Sequence, residues 1–270
     1  MGNDLRYIGC VRLESFLDAK ASSGRFHFTT EAAAEATKSS LVAVRASIRR
    51  MKKKGHIADP VKGFHLIVPP EYRAIGCLPA DQFVPLLMDQ LQKTYYAGLL
   101  SAAEIHGAAH QKPQVFQVVV PANHPEIRCG SVRVHFIARR NAVNVTRSRI
   151  NTLRGVLEVS SPEATAFDLV GYPDHCGGLS NVATVLAELA DLLDEDKLLN
   201  ESRFSPTPWH QRLGFLLELS GARKCTKALA AYIAGDGRDY IPLHCGVRVH
   251  NARRDKRWKV LVNDSVELDQ

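Results

Sequence analysis

The sequence lacks most of the features that mark enzymes, secreted proteins and membrane proteins. No apolar run approaches the ~18–20 residues that a membrane-spanning helix needs. No Gly-x-Ser-x-Gly elbow, no Gly-x-Gly-x-x-Gly turn and no phosphate-binding loop ending in Gly-Lys occurs. The six cysteines (Cys10, Cys77, Cys129, Cys176, Cys225 and Cys245) are scattered, with no Cys-x-x-Cys pair. That spacing argues against a structural zinc site. The opening MGNDLR is not a signal peptide, and Arg6 breaks the myristoylation pattern that Gly2 would begin. These absences predict a cytoplasmic protein with reduced thiols, no bound metal, no cofactor and no catalytic centre. Acid is also scarce in one place. Met1 to Arg73 holds thirteen Lys and Arg against seven Asp and Glu, so nearly all of the net charge of +7 lies in the first quarter of the chain. Such asymmetry points to a polyanion-binding module joined to something else.

A chain of 270 residues predicts about two domains. Arg12–Ala21 reads as a helix with Leu13, Phe16 and Leu17 inward. After the breaker SSGRFHF, Thr29 or Thr30 can cap the short helix TEAAAEAT. Lys38 is the turn, Ser39 or Ser40 the next cap, and Gly55 the stop. HIAD and FHLIV then read as two strands around a Pro/Gly turn. Helix, helix, turn, helix, hairpin is the order of a winged helix-turn-helix, placed at residues 1–70. The prolines of VPPEYR close it, and residues 74–270 are expected to form a larger α/β domain. The fold class is therefore mixed α and β. In the second part, DQFVPLLMDQLQK and YYAGLLSAAEIHGAAH read as helices, VFQVVVP and VRVHFIAR as strands, and SPEATAFDLVGY as a helix capped by Ser161 with Pro162 at N1. Helices follow around Val182–Leu193, Trp209–Leu219 and KALAAYIAG, then strands in RWKVLVN and VEL.

The Ser39–Gly55 helix carries the strongest signal. Leu41, Val44, Ile48 and Met51 recur at steps of three and four, one buried stripe. Val42, Ala46, Arg49 and Lys53 then point away, flanked by Arg45 and Arg50. Small residues near the helix start and arginines further along suit entry into a DNA major groove. Ser39 and Ser40 sit where a helix N-terminus can meet a phosphate. Lys62 and His65 of the hairpin are phosphate candidates. A solvated structural face would usually mix signs for i,i+4 pairing, and this one does not. A candidate second basic surface is Arg128, Arg133, Arg139, Arg140, Arg147 and Arg149, within a span from Arg128 to Arg154 that contains no acid. Glu158 to Glu218 is acidic instead, with eleven acids against three bases.

Three other patterns are weak. His106 and His110 have metal-ligand spacing, but no acid or cysteine lies at a useful offset, so packing or capping is the better reading. Glu195-x-Lys197 echoes some metal-dependent nucleases but follows a leucine-rich helical run instead of a strand. Cys176–Leu179 (CGGL) reads as a loop.

The stretches VPPEYRAIGCLPADQF, YYAGLLSAAEIHGAAHQKPQVFQVVVP, SPEATAFDLVGYPDHCGGLSNVATVLAELA, QRLGFLLE and RWKVLVNDSVELD resemble the AbiEi-type antitoxin family of transcriptional regulators in phage defence. The resemblance spans roughly Val68 to Asp269. It implies an N-terminal winged helix that binds inverted repeats of operator DNA and represses its own operon. It also implies a C-terminal domain for antitoxicity and self-association on DNA, set against a nucleotidyltransferase-like toxin that need not be touched directly. Two alternatives from other classes are a module that binds the toxin directly through the acidic region and a DNA-binding nuclease-like enzyme.

Overall fold

Capping residues and apolar spacing set the N-terminal elements. The computed structural model describes residues 12–108, 113–234 and 239–267. Helix α1 (Leu13–Ser22) buries Phe16 and Leu17. Helix α2 (Thr30–Thr37) starts at Thr29, whose hydroxyl accepts the Ala32 N–H at 3.2 Å. Lys38 turns the chain in the left-handed region, and Ser40 then caps α3 (Leu41–Lys53) by accepting the Ala43 N–H at 3.3 Å. At the far end Gly55 takes φ 73°, and the His56 N–H reaches back to the Met51 carbonyl at 3.0 Å. This closure favours glycine because a Cβ is strained there. Strands β1 (His27–Phe28), β2 (Ile57–Val61) and β3 (Phe64–Ile67) form an antiparallel sheet in the order β1-β3-β2. Its ladder slips between Ala58 and Val61, where Pro60 has no N–H to give. Phe16, Leu17, Phe28, Val44, Ile48 and Ile57 meet in the core of this segment. Leu41 departs from the expected stripe. It is the first residue of α3 and is 41% exposed.

The chain divides into two compact units, residues 1–93 with 125–135 and 151–157, and residues 94–124 with 136–150 and 158–270. The VPPEYR stretch falls within the first unit, where Pro70–Tyr72 form a 3-10 turn that leads to α4 (Ala80–Gln90). Within that unit Arg154 is tied to the N-terminal elements. Its guanidinium lies 3.6 Å from the Phe26 ring centre, donates to Gln82 at 2.7 Å and pairs with Glu71 at 3.4 Å.

Strands β4 (Tyr96–Ala97), β5 (Phe116–Val120), β6 (Ile127–Cys129), β7 (Val132–Ala138), β8 (Arg147–Thr152) and β9 (Gly155–Ser160) form a sheet in the order β6-β7-β5-β4-β9-β8. β4 is antiparallel to β5 and parallel to β9. The second unit adds helices α5 (Leu99–Ile105), α6 (Pro162–Gly171), α7 (Leu179–Leu189), α8 (Glu195–Ser202), α9 (Thr207–Leu219) and α10 (Lys227–Ala234). A small sheet of β10 (Ile241–Pro242), β11 (Arg253–Asp255) and β12 (Val260–Val262) completes it. Helix α6 is the centre of this unit. Ser161 caps it, Pro162 occupies its first position, and every residue from Glu163 to Val170 is buried. The architecture is mixed α and β, as expected. Two details differ from expectation. Tyr96–Ala97 form a strand ahead of α5, where the sequence reads as a single helix. Of the closing VEL, Val266 and Glu267 lie in no strand and Leu268 lies outside the described residues; the Glu267 N–H donates instead to the Ser180 hydroxyl at 3.1 Å.

Candidate nucleic-acid interface

The face of α3 opposite its buried stripe is open. Val42, Arg45, Ala46, Arg49, Arg50 and Lys53 line it, and Val42 keeps 76% of its surface. Arg45, Arg49 and Lys53 are exposed and make no ion pair among the described residues, while Arg50 donates to Ser47 at 2.9 Å. Lys62 is exposed in the turn between β2 and β3. Ser40 is exposed, with its hydroxyl capping Ala43, while Ser39 is half-buried and donates to the Thr37 carbonyl at 3.2 Å.

Behind this face lies an acid whose role the sequence pattern does not disclose. Asp59 pairs with Lys52 of α3 at 2.5 Å and accepts from Nδ1 of His65 at 2.7 Å. The other ring nitrogen of His65 is bonded to the Thr30 hydroxyl at 2.9 Å. His65 is therefore buried with both nitrogens used inside the fold, and it is not a phosphate donor on the hairpin surface. The one acid of β2 thus locks hairpin to helix. Lys52 is withdrawn into this lock, which leaves Arg45, Arg49 and Lys53 as cations of the face without an ion pair among the described residues. A cleft of about 530 Å³ runs between them, with Arg45, Arg49 and Lys53 on one wall and Thr30, Asp59 and His65 on the other.

Burial raises the Asp59 carboxyl, but its bonds to His65 and Lys52 outweigh this and hold it below its ordinary value. A carboxylate depressed in the folded state stabilises the fold above its unfolded pKa of about 3.9, and the contribution is lost as pH falls through the folded value. Asp59→Asn is expected to lower unfolding stability by about 1 kcal/mol at pH 7. Below pH 4 the difference should shrink. Urea titrations at pH 7 and pH 3 measure both, and an equal deficit at the two pH values would contradict the assignment.

The arginines grouped as a second basic surface separate. Arg128 and Arg133 lie in the first unit, and Arg139, Arg140, Arg147 and Arg149 in the second. Arg128 is paired with Glu126 at 3.0 Å and Arg149 with Glu158 at 3.4 Å. Arg147 is partly buried and donates to the Val143 carbonyl at 3.4 Å. Arg133 and Arg140 are exposed. Arg139 is not a surface residue. It is buried and pairs with the fully buried Asp168 at 2.5 Å. It also donates to the Phe204 carbonyl at 2.8 Å and lies over the Trp209 ring. An arginine-rich span without local acid finds its acids elsewhere in the chain, and only the fold shows which arginines they neutralise.

The weak patterns are absorbed by structure. Asp194 caps α8 by accepting the Lys197 N–H at 3.0 Å, and Glu195 accepts the Ala228 N–H at 2.6 Å. His106 bonds the Ser160 carbonyl at 2.7 Å, and His110 lies outside the described residues. Gly177 and Gly178 form the turn into α7. Among the described residues no group of three His, Cys, Asp or Glu could hold a metal ion, and no helix is long and apolar enough to cross a membrane.

No curated protein matches the chain. Among solved structures, the RV2827C protein from Mycobacterium tuberculosis is similar, with a TM-score of 0.67, 18% identity and coverage of 93% of each chain. At that identity the likeness is one of fold. Residues 96–219, from β4 through the central helix α6 to the end of α9, match the model of the AbiEi antitoxin C-terminal domain. That match spans just under half of the chain, and through it this part of the chain is similar to the C-terminal domain of AbiEi antitoxins.

Proposed function

We propose that this protein is an antitoxin and also the DNA-binding autorepressor of its own operon. Residues 1–70 act as a winged helix-turn-helix, α3 enters the major groove of an operator built on inverted repeats, and residues 74–270 counteract a nucleotidyltransferase-like toxin. Two copies on two half-sites would account for the symmetry of such an operator. The observation that carries the DNA reading is the set of cations Arg45, Arg49 and Lys53 on one exposed face of α3, none of them ion-paired among the described residues. Free cations on a helix held by its own core can displace counterions from a phosphate-lined groove without first breaking protein ion pairs.

The test is binding of the full chain to duplex DNA from upstream of its own gene across a range of salt. Arg49→Ala should weaken operator binding by about 1–3 kcal/mol and relax sequence preference if it contacts a base. Lys53→Ala should lower the slope of log K against log salt by about one if it contacts a phosphate. Both residues are exposed, so thermal stability should stay unchanged. Unaltered operator affinity in the double variant would remove α3 as the reading helix. Growth rescue on co-expression with the product of the adjacent gene tests the antitoxin half independently.

A further inference from the structure

The exposed face of α3 is not only cationic. Its first two turns present Leu41, Val42, Ala43 and Ala46 to solvent, with Val42 the most exposed of the large apolar residues on this helix. No charged residue precedes Arg45 in the helix. Apolar residues at the start of a helix, with free arginines three and seven residues after Val42, are two chemistries on one face. In the major groove they have distinct counterparts. The C5-methyl group of thymine is the one apolar feature a base edge offers, and guanine O6 and N7 are the acceptor pair that an arginine fork fits. The small side chains Ala43 and Ala46 let the helix backbone come close enough for a short residue such as valine to reach a methyl.

We propose that Val42 is a specificity-determining residue that reads a thymine methyl in the operator, and that Arg45 or Arg49 reads a guanine beside it. This rests on the DNA-binding reading above and names the sequence chemistry of the same site. The helix sets the spacing. From Val42 to Arg49 is seven residues, or about 10 Å of rise, which matches about three base-pair steps at about 3.4 Å each. The thymine and the guanine therefore lie within about three steps of one another in each half-site. Charge supports duplex DNA as the occupant, because the cations that flank the apolar patch on this helix are free of ion pairs among the described residues.

The experiment selects binding sequences for the full chain from a random duplex library. Each thymine of the selected site is then replaced by deoxyuridine, which deletes the methyl group alone. With the wild-type chain, one thymine per half-site should be methyl-dependent, with about a fourfold loss of affinity, the value of burying one methyl-sized group. Val42→Ser should bind the thymine and uracil duplexes equally at that position and keep its preference for guanine. If uracil is tolerated at every position, or if Val42→Ser keeps the methyl dependence, the inference is overturned while DNA binding stands. If no sequence is enriched and no duplex is bound, the DNA-binding reading itself fails, and this inference fails with it.

Discussion

Arg139→Ala will destabilise the second unit by about 3–5 kcal/mol, the range for removing one partner of a buried ion pair. The reason is what it leaves behind. Asp168 sits in the middle of α6 with no exposed surface, and one of its oxygens takes the Arg139 guanidinium at 2.5 Å. Its other oxygen accepts the Tyr96 hydroxyl at 3.0 Å. Burial, and then the neighbouring Asp168, push the Tyr96 phenol well above its ordinary pKa, so it remains a donor at neutral pH. Without Arg139, one phenol hydroxyl must hold a buried carboxylate alone. The Phe204 carbonyl, which Arg139 and Asn141 both reach, would lose a donor as well. A loss of that size is a large fraction of the stability of an ordinary domain and corresponds to a fall in melting temperature of about 10 °C. Replacing both partners by apolar residues, as in Arg139→Met with Asp168→Leu, should recover much of the loss, because no charge is then stranded. Thermal and urea unfolding of Arg139→Ala and of this double variant, each against the unaltered chain, measures the effect. A change below about 1 kcal/mol for Arg139→Ala would show that the pair is not held as described.

Gly214→Ala is expected to cost about 1–3 kcal/mol, against the usual sign for a helix interior. Alanine normally stabilises a helix relative to glycine by about 1 kcal/mol. Here a Cβ on Gly214 would fall well inside 3.0 Å of Cζ3 of Trp258, and two more atoms of that ring are nearly as close. Trp258 is also tethered. It is fully buried, and its indole N–H donates to Glu218 at 2.6 Å. Its backbone N–H is held by Asp255 at 2.9 Å. The second tryptophan repeats the device, since a Cβ on Gly171 of α6 would overlap the Trp209 ring in the same way. Both tryptophans of the chain thus pack directly on a helical glycine. Trp258→Leu combined with Gly214→Ala should be non-additive, with the clash relieved in the double variant. Equal or greater stability of Gly214→Ala alone would refute the close packing.

The sequence is informative wherever the chemistry is local. The caps Thr29, Ser40 and Ser161, the stop at Gly55 and the three–four spacing of Val44, Ile48 and Met51 all involve residues within one or two turns of each other, and each is seen in the fold. Strand β8 is not disclosed by it. RSRINT has no buried residue, and therefore no buried face to impose a period of two. The acid at Asp168 stands out in hindsight as a lone charge in the run AFDLV, which is a mark of a buried, partnered group. Its partner does not, since Arg139 looks like any other arginine of a basic span.

The same division holds for the candidate interface. Composition and period alone place a helix over Ser39–Lys54, side it, and concentrate the positive charge on its outer face. Which of its cations remain available is a matter of tertiary structure. Asp59 takes Lys52 and His65 out of the set, and Arg139 and Arg149 are matched by acids of α6 and β9. Helical periodicity is a property of neighbouring residues. Ion pairing and burial depend on which distant segments the fold brings within a few ångströms, and no local pattern carries that information.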